Sequence, residues 1–246
     1  MTIGSNIIFF DTLPSTNTYA VSLIRTKKVP EGTIIRAAYQ SAGRGQTGNQ
    51  WESEAGKNLL ISIILYPVGL NPSDQFLISM MVSLGISDFL GGEISGCRIK
   101  WPNDIYVNND KIAGILIENS IMENTVLNSV AGIGLNINQR EFTTGAPNPV
   151  SMSLITGIEY DPEECLSQLA IAIDKRYSQL LAGEHREIRR NYISQLYRLN
   201  EWNYFSDTLS TFRGRILSVK DDGMVQIERD DSSIREYSYR ELDFIL

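Results

Sequence analysis

A glycine-rich segment with one arginine and one tryptophan, residues 41–51, has the residue types needed to bind an anionic ligand. It reads SAGRGQTGNQW. Glycine lets the backbone turn its N–H groups toward an anion, and Arg44 adds a permanent charge with a fork of donors. Trp51 offers a flat apolar face to a planar ligand. The segment therefore predicts a loop that wraps a phosphate-bearing molecule.

The spacing of Gly43, Gly45 and Gly48 also matches the G-x-G-x-x-G fingerprint of dinucleotide-binding folds. That fold needs a helix directly after the glycines, so that the helix N-terminus meets the pyrophosphate. Here the next apolar run, NLLISIILY at residues 58–66, is largely β-branched and ends before Pro67. Such a run predicts a strand, which disfavours a Rossmann unit.

Two charged motifs follow in the predicted sheet. Residues 100–104, KWPND, place a cation, an indole, an amide and a carboxylate around a strand break at Pro102. Asp104 suits a magnesium ion held through water on phosphate oxygens. The alternative is a β-corner with Trp101 packed inward and Asp104 capping the turn. Lys111 heads the next apolar strand, KIAGILIE, and as a point charge it could meet a ligand carboxylate.

Glycines within two predicted strands indicate a part of the sheet that lacks side chains. Gly114 lies in the strand after Lys111, and the segment GIGLNIN at residues 132–138 supplies two more glycines. A flat ligand could lie against such a surface, where Asn136 offers both a donor and an acceptor. These segments supply no activated Ser, Cys or His nucleophile. Positioning and electrostatics would then join a substrate's own carboxylate to a nucleoside triphosphate.

The elements that must position these residues form an α+β fold, with a mixed or antiparallel sheet backed by helices. Ser15 or Thr16 should cap a helix that runs to about Lys27, and further helices should follow Pro72 and Pro162 and begin near Glu184. Strands are predicted at about 7–10, 33–39, 58–66, 97–101, 104–108, 111–119 and 125–138. Three shorter strands, at about 212–220, 224–228 and 234–239, predict a small barrel. We divide the chain into residues 1–203 with the site and residues 204–246 with the barrel.

Composition argues against several functional classes. A net charge of -7 over 246 residues, with few Lys and Arg clusters, disfavours a nucleic-acid-binding surface. His185 is the only histidine and lies in a polar patch, which disfavours a histidine base or histidine-bound zinc. We expect Cys97 and Cys165 to be small structural residues of a cytoplasmic protein. No signal peptide or transmembrane run is predicted.

In their order along the chain, these motifs resemble those of biotin–protein ligases over residues 7 to about 138. The resemblance rests on the Ser15-Thr16-Asn17 triplet, Gln40 and the four motifs at 43–51, 100–104, 111–115 and 132–136. It implies a class II synthetase-like catalytic domain, and the last forty residues resemble, more loosely, that family's SH3-like barrel. The chain is similar to the monofunctional bacterial form, which begins at the catalytic domain and has no DNA-binding domain.

The resemblance implies an ATP-dependent, AMP-forming ligase that uses biotin, ATP and Mg²⁺. The carboxylate of biotin attacks the α-phosphate of ATP, which gives biotinyl-5′-AMP and pyrophosphate. A lysine of a biotin carboxyl carrier protein, a domain of a biotin-dependent carboxylase, then attacks that mixed anhydride. Neither nucleic acid nor a membrane is an expected partner, and a homodimer through sheet edges remains open.

The resemblance also assigns roles to residues of this chain. Lys111 and Arg44 would be catalytic, and Asp104 would support Mg²⁺ through the phosphates. Biotin would be held by Ser15, Thr16, Asn17, Gln40, Gly43, Arg44, Gly45, Gln46, Lys111, Gly114 and Ile115. The nucleotide would be held by Arg44, Trp51, Asn103 and Asn136. Because acyl phosphates hydrolyse, the glycine loop should close over the intermediate.

One departure from the family pattern concerns the loop. Many members carry arginine where this chain has Gln46, which can form hydrogen bonds but has no charge. Retention of the acyl-adenylate would then depend more on Arg44 and on loop packing.

Two other functions remain as alternatives. A lipoate–protein ligase shares the fold and the adenylation chemistry, but that family has paired arginines and a histidine near the glycines. A non-catalytic module that binds biotin or its adenylate is the other alternative. Release of pyrophosphate would separate an enzyme from such a module.

Overall fold

The computed structural model describes residues 2–143 and 148–245, which form a seven-stranded sheet, a five-stranded sheet and the helices that cover them. The first sheet contains β1 (Ile7–Leu13), β2 (Ile34–Gln40), β3 (Leu59–Leu65), β4 (Cys97–Lys100), β5 (Asp104–Val107), β6 (Asp110–Met122) and β7 (Thr125–Leu135). The second contains β8 (Asn203–Asp207), β9 (Thr211–Val219), β10 (Val225–Arg229), β11 (Ile234–Tyr237) and β12 (Leu242–Phe244). The helices are α1 (Thr16–Thr26), α2 (Phe76–Leu90), α3 (Met152–Thr156), α4 (Pro162–Leu181) and α5 (His185–Ser194).

The α+β prediction is confirmed. The first sheet has the order β1-β2-β3-β7-β6-β5-β4 and is mixed, because β1 and β2 are parallel while the other pairs are antiparallel. The glycine segment is followed by strand β3 rather than by a helix, as expected for a fold other than Rossmann. Helix α3 and strands β8 and β12 were not predicted, because with five, five and three residues they are too short to show a clear period.

Helices cover both faces of the first sheet. Helix α1 is capped by Ser15, whose side chain accepts a hydrogen bond from the Thr18 N–H. It packs on β2, β3 and β7 around a small apolar cluster that includes Ala20 and Val130. Helices α2, α4 and α5 contribute to the larger core, which also contains Ile63, Ile133 and other sheet residues. Because α1 covers only part of its face, the rest of that face is left for a site.

The second sheet is antiparallel, in the order β11-β10-β9-β8-β12. The three strands predicted after residue 204 are present as β9, β10 and β11. The indole N–H of Trp101 donates to the Gly223 carbonyl at 2.8 Å, and Gly223 lies against the Phe76 ring. Buried residues such as Phe205 and Ile216 belong to the same apolar cluster as the core of the first sheet. The two sheets are therefore joined by continuous packing.

None of the helices in the described part of the chain is long and apolar enough to span a membrane.

Helix α2 and helix α4 are in close contact at Gly85. A Cβ at this position would lie 2.7 Å from Ile173 Cγ1 and 2.9 Å from Ile173 Cα. We expect Gly85→Ala to lower the free energy of unfolding by about 1–3 kcal/mol, because the helices must separate to admit the methyl group. Urea denaturation measures the change. Gly92→Ala is the control, since its Cβ would meet only the Phe89 carbonyl oxygen at 3.5 Å; equal losses in both variants would contradict this account of the packing.

Candidate active site

The register of the first sheet brings distant motifs into one row. Lys100 pairs with Asp104 across β4 and β5, Asp104 pairs with Gly114 on β6, and Gly114 pairs with Gly134 on β7. Directly opposed residues of neighbouring strands project to the same face of a sheet. The row therefore places a cation and a carboxylate beside a patch without side chains.

Trp51 covers that patch. A Cβ on Gly134 would lie 2.4 Å from the indole Cε2, and one on Gly114 would lie 2.8 Å from Cζ3. The two glycines thus make room for a flat group, as the sequence predicted, and in this structure that group is the indole of the loop. Among the described residues, the indole Nε1 of Trp51 is buried and has no hydrogen-bond partner.

Two lysines surround the carboxylate of Asp104. Lys111 Nζ lies 2.8 Å from Asp104 Oδ1 and 5.6 Å from the centre of the Trp51 ring. Lys100 Nζ donates to the Tyr106 hydroxyl at 3.1 Å and lies 5.1 Å from the Phe244 ring centre. Burial lowers the pKa of Lys100, and the nearby charge of Asp104 opposes this effect. One carboxylate between two lysines leaves a site that favours an anion.

The start of α1 forms the polar end of the site. Gln40 Oε1 accepts from the Thr16 N–H at 2.7 Å and from the Thr16 hydroxyl at 3.0 Å. The Ser62 hydroxyl lies 2.7 Å from Thr16 Oγ1 and 2.6 Å from Asn17 Oδ1. The amide nitrogen of Asn17 donates to the Leu116 carbonyl and to Glu118 Oε2. Asn17 is only 3% exposed, and both ends of its amide have protein partners, so it organises the site from within.

The glycine loop is a small hairpin. The Trp51 N–H donates to the Gly43 carbonyl at 3.1 Å, and the Gly45 N–H donates to the Asn49 carbonyl at 2.7 Å. A short 3₁₀ turn, Gln46–Gly48, forms its tip. A Cβ on Gly43 would lie 2.6 Å from the Trp51 carbonyl oxygen, so the close approach of the two arms requires glycine there. The N–H groups of Gly45 and Trp51 therefore bond within the loop and do not face a ligand.

Two asparagines hold the strand ends near the charged group. Asn103 Nδ2 donates to the Ile115 carbonyl at 2.6 Å, while the Ile115 N–H donates to the Asn103 carbonyl. Asn136 Nδ2 donates to the Val150 carbonyl at 3.0 Å. The Oδ1 atom of Asn136 is buried without a hydrogen-bond partner among the described residues. In addition to the indole Nε1 of Trp51, it is thus a second buried polar atom of the site without a hydrogen-bond partner among the described residues.

All of the site residues that the sequence predicted line one or both of two adjoining cavities, which have volumes of about 610 and 540 Å³. The first is lined by Ser15, Thr16, Asn17, Gln40, Arg44, Gly45, Gln46, Trp51, Asn103, Asp104, Lys111, Gly114 and Ile115. The second is lined by Gln40, Gly43, Trp51, Lys111 and Asn136. Gln40, Trp51 and Lys111 therefore stand at the junction of the two cavities.

Several residues of the first cavity were absent from the predicted set. Lys100 belongs to a motif that the sequence analysis recognised, but the analysis gave it no role. Tyr239, Arg240 and β12 come from the second sheet and line the same cavity. No motif marks them in the sequence, because only the docking of the second sheet brings them to the site.

The described part of the chain contains neither a cluster of metal-ligating side chains nor an activated thiol. No group of three or more His, Cys, Asp or Glu residues there is placed to hold a metal ion. Both cysteines are free thiols, and burial raises the pKa of Cys97 and Cys165 to about 11. At neutral pH neither is a ready nucleophile.

Known proteins that are similar to this chain belong to one family of ligases. A family model described as "Biotin/lipoate A/B protein ligase family" matches residues 9–136. The "Bifunctional ligase/repressor BirA" of Bacillus subtilis (strain 168) is 30% identical over 243 residues, which cover 96% of this chain and 73% of the relative. The "Biotin--[acetyl-CoA-carboxylase] ligase" of Paracoccus denitrificans is 35% identical over 174 residues, which cover 68% of this chain and 72% of the relative.

The fold is similar to that of a biotin protein ligase from Aquifex aeolicus in complex with biotin and ATP. The TM-score is 0.80 at 24% sequence identity, over 97% of this chain and 98% of that one. The family match contains the glycine loop and the motifs around Asp104, Lys111 and Asn136. The chain therefore belongs to the biotin/lipoate A/B protein ligase family, and the relatives named above are ligases of its biotin branch.

Proposed function

We propose that this protein is a biotin–protein ligase that forms biotinyl-5′-AMP from biotin and ATP and then biotinylates a lysine of a biotin carboxyl carrier protein. The observation that carries the proposal is the position of Lys111, which lines both cavities. A carboxylate that enters from one cavity and a phosphate that enters from the other would meet at its ammonium group. An acidic substrate and a triphosphate require such a shared cation where they react.

Biotin would occupy the first cavity. Its ureido ring needs both donors and acceptors, which Ser15 and Thr16 at the start of α1 and Gln40 at the end of β2 would supply. Gly43, Arg44, Gly45 and Gln46 of the loop would cover the ligand, and Gly114 and Ile115 would form the floor. The engaged amide of Asn17 would hold this wall in place rather than contact biotin.

The adenine of ATP would lie in the second cavity, beside Trp51. Asn136 Oδ1 and Trp51 Nε1 are a buried acceptor and a buried donor without a hydrogen-bond partner in residues 2–143 and 148–245. Adenine offers an amino donor and ring-nitrogen acceptors, so it complements both atoms. Leaving buried polar groups unpaired is costly, which favours a ligand that satisfies them. Asn103 would keep the adjoining strand ends in register.

Electrostatic stabilisation would supply most of the rate. In the first step a carboxylate oxygen attacks the α-phosphorus and pyrophosphate leaves with the bonding electrons. Lys111 would neutralise the carboxylate and the charge that develops on phosphorus, and Arg44 would bind the phosphate. In the second step the lysine amine attacks the acyl carbon, loses a proton, and AMP leaves. Exclusion of water protects the mixed anhydride between these steps.

The residues present fit a Mg²⁺ ion that arrives with the triphosphate. Asp104 is the predicted ligand, and Asp243 is the other carboxylate among the described residues lining the first cavity. Since Asp104 already pairs with Lys111, either carboxylate would act through water. Mg²⁺ would screen the phosphate charge, and the phosphate oxygens would provide its main ligands.

We also propose a cellular location, a division of the chain and a mode of association for this protein. We place the protein in the cytoplasm, without nucleic-acid or membrane partners, and divide it at residues 1–203 and 204–246. A homodimer through sheet edges is part of the hypothesis. The carrier would dock where the loop opens.

The first prediction from this proposal concerns the adenylation step alone. Biotin should cause pyrophosphate release from Mg·ATP in the absence of any carrier protein, because biotin's own carboxylate is the nucleophile. A coupled pyrophosphate assay measures it, with lipoate as the parallel substrate. Pyrophosphate release with lipoate but not with biotin would make lipoate the substrate. If neither compound causes release in protein that binds biotin, the non-catalytic binding module is favoured.

Lys111→Ala should remove on the order of 3 kcal/mol of transition-state stabilisation, or more than a hundredfold in kcat/KM for adenylation. The matched control is Lys175→Ala, an exposed lysine on α4. A near-normal rate in the Lys111 variant would remove this residue from the proposed role.

Gln46→Arg should slow the release of biotinyl-5′-AMP by about tenfold, because a second loop cation would form a charge-assisted bond to the phosphate. Dissociation of the purified intermediate, followed by filter retention, measures the rate. Gln226→Arg, a change on β10 of the second sheet, controls for net charge. Equal rates for Gln46→Arg and the unaltered protein would show that loop charge does not limit retention.

A further inference from the structure

The positive charge of the loop arginine, Arg44, is paired in this structure, because Glu118 binds it. Arg44 Nη2 lies 2.9 Å from Glu118 Oε1, and Arg44 Nη1 donates to Thr18 Oγ1 at 3.3 Å. Glu118 lies on β6, two residues after Leu116, which lines the first cavity. Arg44 is paired across the hairpin with Gln50, so its attachment to Glu118 also anchors the loop to the sheet.

The two partners differ in how firmly they are held. Glu118 Oε2 accepts from Asn17 Nδ2 at 2.9 Å, and Asn17 is buried and bonded to Ser62. The carboxylate is therefore fixed by a buried network that continues through Ser62 to Thr16. Arg44, in contrast, has a side chain that is 48% exposed and sits on a loop. If the pair opens, Arg44 is the partner that moves.

The ion pair between Arg44 and Glu118 is weak enough for a phosphate to replace the carboxylate. The side chain of Glu118 is 31% exposed, and ion pairs that water reaches are weak. A phosphate offers more negative charge and binds a guanidinium through two parallel hydrogen bonds, so it should displace the carboxylate. Glu118 meanwhile keeps its bond to Asn17, so the exchange leaves no buried group unpaired.

We propose that Glu118 is a positioning residue that holds Arg44, and with it the glycine loop, against the sheet and releases Arg44 to the phosphate of the nucleotide. The carboxylate stands in for the phosphate until ATP binds, and it therefore competes with ATP for the arginine. This inference rests on the proposed function for the identity of the anion. The contact between Glu118 and the loop can be tested without it.

Glu118→Gln separates the charge from the hydrogen bond. The new amide oxygen still accepts from Asn17, so the buried network is kept, while Arg44 loses its ion pair. Arg44 is the only lysine or arginine in residues 41–51, so trypsin reports on this loop at a single bond. In the protein without ligands, cleavage after Arg44, identified by peptide mass, should become at least fivefold faster. Cleavage at an unchanged rate would overturn the tether.

The competition has its own readout. In adenylation with saturating biotin, the KM for ATP should fall severalfold in Glu118→Gln, because the nucleotide no longer displaces a carboxylate. A residue with only a structural role would leave this KM unchanged or raise it, and either result would overturn the exchange. Glu93→Gln, which removes an exposed carboxylate after α2, is the matched control and should alter neither readout.

Inorganic pyrophosphate tests the exchange without relying on ligase activity. It should protect Arg44 from trypsin at a severalfold lower concentration in Glu118→Gln than in the unaltered protein. The same concentration for both would overturn the exchange even in an active ligase. Failure of biotin to release pyrophosphate from ATP would instead count against the proposed function, and leaves this measurement intact.

Discussion

The contact between the Trp51 indole and the bare backbone at Gly114 and Gly134 is the constraint on which the site depends. With any side chain at Gly134, the indole would have to leave the sheet, because a Cβ there falls 2.4 Å from Cε2. The indole in turn separates the two cavities and lies near Lys111. Lack of side chains on two neighbouring strands thus fixes where one cavity ends and the other begins.

Three positively charged side chains determine the electrostatics of the site. Lys100, Lys111 and Arg44 bring positive charge to the cavity of a chain with a net charge of -7. Each of these three side chains has a partner within the protein: Asp104 for Lys111, Glu118 for Arg44, and the Tyr106 hydroxyl for Lys100. These partners keep the charges in place at little cost in desolvation, and a polyanionic substrate can replace the exposed ones. The charged groups of the site are therefore held in place by contacts within the protein.

The second sheet is part of this arrangement rather than an appendage. Its strand β12 places Phe244 beside Lys100, and Tyr239 and Arg240 line the first cavity. The bond from Trp101 to Gly223 links the two sheets at the motif that also supplies Asp104. The second sheet therefore forms part of the surroundings of the charged group.

Much of this protein follows from local sequence. Alternating and β-branched runs predicted the strands of the first sheet, and Ser15 predicted the start of α1, because these signals arise within a few residues. The chemistry was also visible, since Arg44, Asp104 and Lys111 stand in short motifs whose residue types suit phosphates and carboxylates. Asn136 and Trp51 were expected at the nucleotide, and their unused polar atoms agree with that expectation without testing it.

Tertiary structure decided the rest, for reasons that local sequence does not contain. The register of β4 to β7 put Lys100, Asp104, Gly114 and Gly134 in one row, and register depends on pairing between distant segments. The sequence determined that the sheet would have a bare surface, but only the folded loop showed that Trp51 fills it. Likewise the pairing of Arg44 with Glu118, 74 residues away, and the arrival of Arg240 at the cavity depend on packing between elements. Sequence by itself thus determined which groups could react, and the tertiary structure decided which of them meet.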